Sequence, residues 1–181
     1  MSHPSEPSNT WVEYATFGGG CFWGIEAAFR HVRGVVETSV GYMGGHFPNP
    51  SYLDVLSRIT GHAEVVQLQF DASVISYEDL LTVFWAIHDP TTLNRQGPDR
   101  GEQYRSIILV HSPRQEAIAY YSKQQLMESG QFGNPVVTEI KPASDYYQAT
   151  DDHQHYFEKK GNPLPTALKA KIPAQYLRLD L

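Results

Sequence analysis

The fold turns on residues 11–42, WVEYATFGGGCFWGIEAAFRHVRGVVETSVGY. Trp11 to Phe17 reads as a strand, rich in β-branched and aromatic side chains, and Gly18-Gly19-Gly20 breaks it. From Phe22, apolar side chains recur as Phe22, Ile25, Phe29 and Val32, the three- and four-residue steps of an amphipathic helix. Gly34 ends that helix, and Val35 to Tyr42 alternates as a second strand. A strand, turn, helix and strand within about thirty residues predict a right-handed crossover.

Outward from this unit, strand-like and helix-like patterns alternate. Met1 to Thr10 is polar, reads as a solvated tail and lacks the apolar core of a signal peptide. A Gly/Pro-rich loop, MGGHFPNP, leads to a helical turn from Ser51, and Ala63 to Phe70 is a strand. Ser76 to His88 reads as a helix opened by a capping box between Ser76 and Asp79. The loop from Asp89 to Gly101 holds two prolines and two glycines, and loops of that length in compact domains usually carry function. Tyr104 to Val110 is a strand, Pro113 to Gly130 a helix, Val136 to Lys141 a strand, and Asp151 to Lys160 a helix. Beyond Gly161, prolines at 163, 165 and 173 leave the pattern unassigned. The sum is α+β: a mixed sheet with helices mainly on one face.

Composition removes whole classes of function. Fourteen Lys and Arg against 20 Asp and Glu give a net charge of −6, too few cations for a nucleic-acid or anionic-membrane binder. A single cysteine excludes an intrachain disulfide and a Cys-rich zinc finger. No apolar run approaches the length of a membrane span. The expectation is a soluble protein of a reducing compartment, the cytoplasm.

Cys21 sits between three glycines and the first turn of the first helix. A free cysteine is ordinarily a small buried hydrophobe. At a helix N-terminus, however, unpaired N–H groups stabilise a thiolate and lower the pKa from about 8.5. A strand-to-helix turn is also a common seat for a nucleophile. Phe22 continues the core stripe, whereas Trp23 leaves it beside the thiol, where an exposed indole offers an apolar wall to a ligand. In Ala63 to Phe70, Glu64 shares its face with Val66, Leu68 and Phe70. It either snorkels to water or is desolvated, which keeps a carboxyl protonated near neutral pH. A neutral acid beside a sulfur nucleophile divides attack from proton donation. His62, His88, His153 and His155 keep a Cys-His hydrolase open, and a non-catalytic redox sensor is the third reading. The two nearest His, His153 and His155, do not share a helical face, so no metal site is expected.

Gly20-Cys21-Phe22-Trp23-Gly24 resembles the GCFWG signature of the A-type peptide methionine sulfoxide reductases. The likeness continues through GYMGG at Gly41–Gly45, TGHAEVV at Thr60–Val66, HDPTTLNRQGPDRGEQYRS at His88–Ser106 and DDHQHY at Asp151–Tyr156. It implies a ferredoxin-like two-layer α/β sandwich with a mixed sheet and additional helices, in one catalytic domain over residues 11–181. It also implies reduction of the S epimer of methionine sulfoxide, free or in oxidised proteins and peptides, with no bound cofactor. By the same resemblance Cys21 is the nucleophile and Glu64 the proton donor. Tyr52 and Tyr104 hydrogen-bond the sulfoxide oxygen, Asp99 is the acidic residue of the neighbouring loop, and Phe22 and Trp23 hold the substrate's ε-methyl. Many relatives carry further cysteines in a C-terminal tail, but KIPAQYLRLDL has none. The implied type is therefore a one-cysteine enzyme, a monomer, regenerated by an external thiol: thioredoxin, or glutathione with glutaredoxin. Thr150 stands where the family usually has Glu, which removes any charge role there.

Overall fold

The computed structural model describes residues 11–180; the expected tail, Met1 to Thr10, lies outside them. In chain order the elements are β1 (Val12–Gly18), α1 (Phe22–Arg30), β2 (Val35–Met43), α2 (Tyr52–Leu56), β3 (Ala63–Asp71) and α3 (Tyr77–Ile87). The second half holds β4 (Arg95–Gln96), β5 (Asp99–Arg100), β6 (Ile107–Val110), α4 (Pro113–Glu128), β7 (Glu139–Pro142), β8 (Tyr147–Gln148), α5 (Tyr156–Lys159) and α6 (Thr166–Lys169).

The main sheet runs β7-β6-β1-β3-β2-β8. Both β1 and β2 are antiparallel to β3, so they are parallel to each other with β3 between them. The crossover through α1 thus skips one position and leaves a slot that β3 fills. With β6 antiparallel to β1, the four central strands make the expected ferredoxin-like order. The parallel pairing of β6 with β7 makes the sheet mixed.

Alternation decides the two faces. Ala15 and Phe17 of β1, Val66, Leu68 and Phe70 of β3, and Ile108 and Val110 of β6 pack with Ile25, Ala28 and Phe29 of α1 and Leu80, Leu81 and Phe84 of α3. Phe17 centres this layer, stacked 5.2 Å from Phe29 and 5.0 Å from Phe84. Burying a side chain of that size contributes about 1.5–3 kcal/mol. The opposite face carries Met43, Ala63, Val65, Ile107 and Leu109, covered by Ala143 and Tyr146 of an irregular segment rather than by a helix.

Several boundaries differ from the sequence pattern. The Asp89–Gly101 loop contains the β4–β5 hairpin, turned at Gly97-Pro98. The expected capping box of α3 is half formed: the Ser76 hydroxyl accepts from the Asp79 N–H, while the Asp79 carboxylate receives the Tyr176 hydroxyl at 3.0 Å. β7 starts only at Glu139, because the Val137 N–H donates to Pro90 instead of to the sheet. The expected Asp151–Lys160 helix is broken into a 3-10 turn at Asp151–His153 and α5, with His155 between them in the left-handed region at φ 50°. The unassigned C-terminal stretch folds back onto α1. Val32 bridges Leu177, and the Arg178 Nε donates to the Arg30 carbonyl at 2.9 Å.

Candidate active site

Cys21 occupies the N-cap position of α1, at the end of the glycine turn. Gly18 lies so close to β3 that an added Cβ would meet the Glu64 carbonyl at 2.8 Å. Gly20 has φ 93°, a conformation open to glycine, and its N–H donates to the Tyr104 carbonyl at 3.2 Å. The turn therefore locks the strand that leads into Cys21 to the neighbouring β3 and to the 3-10 turn Glu102–Tyr104.

Glu64 stands on the apolar face of β3, 2 % exposed, and does not snorkel to water. Its Oε1 accepts the Phe22 N–H at 3.2 Å, one of the free donors of the α1 N-terminus beside Cys21. Burial pushes the carboxyl up to about 7, with the Phe22 N–H working against that rise and the Asp99 charge adding to it. The shift favours the neutral acid well above the usual carboxylate range.

The thiol departs from the sequence expectation. Burial, and next the Glu64 carboxylate, push Cys21 up to about 12; the N–H groups of Trp23 and Gly24 pull it down and are outweighed. The helix terminus acts in the expected direction, but desolvation is the larger effect. Tyr52 on α2 and Tyr104 are likewise held protonated, by burial first and then by Glu64; Tyr104 reaches about 12. The Asp99 charge is felt by Cys21, Glu64, Tyr52 and Tyr104, so β5 forms one wall of the same site. All five polar residues named from the sequence thus converge.

The aromatic pair is arranged differently from the exposed wall expected of Trp23. Phe22 is 1 % exposed and packs with Val40, Tyr42, Val55 and Ala149 as the floor. Trp23 is half-buried. Its indole stacks on Tyr156, centroids 3.8 Å apart and 6° from parallel, and its Nε1 donates to His153 Nδ1 at 3.1 Å. The His153 ring lies 4.6 Å from Tyr52 and 5.5 Å from Phe22.

The sequence offered His153 and His155 only as possible bases for the thiol and gave Gln154 and Tyr156 no role, although DDHQHY stood out. A continuous helix was expected there, and the left-handed His155 reverses which side chains share a face. Two buried anchors fix this segment. Glu26, on the second turn of α1 and 1 % exposed, accepts the His155 N–H at 2.7 Å and the Thr38 hydroxyl at 2.8 Å. The Gln154 amide pairs with both backbone groups of Val40 at 2.8 Å. Tyr42 was also missed; it faces Glu64 across the β2–β3 ladder, buried, with its hydroxyl held protonated by burial and then by Glu64. Thr150 donates its hydroxyl to the Asp152 carboxylate at 2.5 Å.

Each candidate histidine has partners other than the thiol, His155 with the Arg30 guanidinium at 3.1 Å. His88 is buried, bonded to the Phe84 carbonyl and the Ser106 hydroxyl, and its pKa falls to about 4 by burial. His62 bridges the Gly45 N–H and the Phe47 carbonyl. The His153 ring is engaged by Trp23.

The sequence profile of the family "Peptide methionine sulfoxide reductase" matches residues 13–178. The MsrA 1 enzyme of Nostoc sp. is 68% identical over 149 residues, 82% of this chain and 91% of that protein. The reduced form of Mxr1 from Saccharomyces cerevisiae superposes with a TM-score of 0.80 at 35% identity, covering 94% of both chains. A second crystal structure, Mxr1 in complex with Trx2, aligns with a TM-score of 0.58 at 26% identity over 81% of this chain and 87% of that one. With its cysteine, buried acid and paired phenols in one place, the chain belongs to the peptide methionine sulfoxide reductase family, as an oxidoreductase of the MsrA type that reduces methionine sulfoxide.

Proposed function

We propose that Cys21 is the nucleophile of this reaction and Glu64 its general acid. The observation that carries the assignment is their meeting at one helix terminus, where the Phe22 N–H holds the Glu64 carboxyl beside the Cys21 position. A sulfoxide sulfur is electrophilic, and its oxygen leaves only once protonated. The Cys21 sulfur attacks that sulfur while Glu64 gives its proton to the oxygen and then recovers the proton of the thiol. In balance, Cys21–SH and a sulfoxide become Cys21–SOH and a thioether. Tyr52 and Tyr104, both held as neutral phenols, donate hydrogen bonds to the oxygen as charge develops on it. Asp99 supports the neutral state of Glu64 through its charge. Phe22 and Trp23 form the apolar seat of the ε-methyl, with the indole fixed by His153 and Tyr156. We assign the S epimer as substrate, free or in oxidised proteins and peptides.

Cys21 is the chain's only cysteine, so the sulfenic acid is resolved by an external thiol. Thioredoxin, or glutathione with glutaredoxin, fills that role; the existence of a thioredoxin complex of a relative supports the first. No helix among the described residues is long and apolar enough to cross a membrane. We assign the protein to the cytoplasm, as a monomer, where a lone thiol stays reduced.

The decisive assay is reduction of a peptide methionine S-sulfoxide with dithiothreitol, for the wild type and Cys21→Ser. Wild-type turnover, its loss in the variant, and one added oxygen on Cys21 after a reductant-free turnover are expected. Activity surviving in Cys21→Ser would refute the assignment.

A further inference from the structure

The main sheet ends on β7 at one side and on β8 at the other, and these two edges differ. β7 carries Glu139 and Lys141 and closes with Pro142, the charges and proline that blunt an edge against pairing. β8 carries neither charge nor proline. Gln148 lies opposite Gly41 and Tyr147 opposite Tyr42, and one step on the Ala149 N–H donates to the Val40 carbonyl at 3.0 Å. Bonded and non-bonded pairs alternate along an antiparallel ladder. Gln148 and Gly41 are therefore a non-bonded pair, and the Gln148 N–H and C=O point away from β2, off the open edge. Gln148 is exposed, and neither of these groups has a partner among the described residues.

Gln148 lines a groove of about 280 Å³ that shares walls with the active site. Tyr42, Tyr52 and His153 line it together with Leu53 and Thr150. Glu64, Tyr42 and Tyr147 stand opposite one another in turn across β3, β2 and β8. Two steps of about 4.8 Å put the β8 backbone roughly 10 Å from that of Glu64, and a strand added beyond it would lie about 15 Å away. Two or three residues of extended chain, together with a methionine sulfoxide side chain, span that distance. Leu53 is 74 % exposed and offers an apolar contact that demands no particular residue.

We propose that this groove docks the chain flanking methionine sulfoxide in a peptide substrate, as an extended segment added to the sheet at Gln148. The Gln148 N–H donates to a peptide carbonyl, and the Gln148 C=O accepts a peptide N–H. A residue two or three places from the sulfoxide is thereby held by its main chain. Strand addition draws its affinity from backbone hydrogen bonds, which every sequence can make. That suits a reaction whose peptide substrates share a sulfoxide and no sequence. Free methionine sulfoxide has no flanking residues and takes the sulfoxide seat without the edge. The docking edge deepens the assignment of that seat to Cys21 and Glu64, and rests on it.

The test compares two substrates with dithiothreitol as reductant: N-acetylmethionine S-sulfoxide amide, and an Ala/Ser peptide with three residues on each side of the S-sulfoxide. With the wild type, each flanking amide of the peptide is replaced in turn by an ester, which removes one N–H and adds no bulk. An ester two or three residues from the sulfoxide should lower kcat/KM about fivefold, the usual net worth of one hydrogen bond, and the other esters should not. Gln148→Pro removes the outward N–H, which the ladder does not use, and proline is tolerated on an edge strand. It should raise KM for the peptide about fivefold and leave the amide unmoved. Gln148→Ala keeps the backbone and should change neither. A flat ester scan would overturn the docking edge without recourse to any variant. So would Gln148→Pro with equal effects on the two substrates, or none, or Gln148→Ala as damaging as the proline. Amide turnover surviving in Cys21→Ser would remove the sulfoxide seat itself, a different failure from a lost peptide preference with amide turnover intact.

Discussion

Replacing Glu64 by Gln separates what the carboxyl does for catalysis from what it does to stability. Glutamine has the same shape, and its Oε1 can still accept the Phe22 N–H now bound at 3.2 Å. It cannot deliver an acidic proton, so sulfenic acid formation should fall by at least about 100-fold, the usual worth of a positioned general acid. Stability should move the other way. Burial raises the carboxyl from 4.5 to about 7, so between those values the folded chain binds a proton that the unfolded chain has released. Stability from this group is greatest below pH 4.5, declines as the pH climbs to 7, and is level above. At 1.36 kcal/mol per pH unit the full decline is roughly 3 kcal/mol. Glu64→Gln has no such ionisation, so its stability relative to wild type should rise by about that amount between pH 4.5 and pH 8. Urea unfolding of both proteins at the two pH values reads this double difference directly, and all other groups cancel in it. Parallel pH profiles for the two proteins would refute the reasoning, because a carboxyl that costs nothing to ionise is not desolvated.

With Glu64 as the proposed acid, the single-turnover rate of Cys21 oxidation by a sulfoxide peptide should fall as pH rises through about 7, measured by quench-flow and mass spectrometry. Trp23→Phe keeps an aromatic face for Tyr156 but loses the Nε1 bond to His153. About 1 kcal/mol of positioning should appear as a KM for peptide sulfoxide raised about fivefold with kcat little changed, in steady-state assays. Arg178→Ala removes the bond that ties the C-terminal stretch to the Arg30 carbonyl and should cost about 1–2 kcal/mol in urea unfolding.

The central sandwich was legible because its signals are local. The glycine break before Phe22, the period of α1 and the alternation of β3 each specify one element, and the polar Glu64 on an apolar face marked itself by breaking the pattern. The convergence of Cys21 and Glu64 follows from β3 filling the slot between β1 and β2, a non-local pairing that alternation alone does not name. What escaped was decided by single backbone conformations and distant partners. The left-handed His155 depends on Glu26, more than a hundred residues earlier, which accepts its N–H. The hairpin at Gly97-Pro98 makes its ladder from two residues a side, too few for any period to show. The thiol was misjudged for a related reason: a helix terminus is visible in sequence, whereas the burial that outweighs it is a property of the assembled site.

Burial, and next the Glu64 carboxylate, push the Cys21 thiol well above its ordinary value, so the resting side chain is the neutral thiol. Peroxide reacts with thiolates, so the resting protein is a poor target for the oxidants whose damage it reverses. With Glu64 as the proposed acid, chemistry waits for a sulfoxide to bring its own oxygen, and the sulfur would thereby be kept for its substrate under the very stress that makes the substrate abundant.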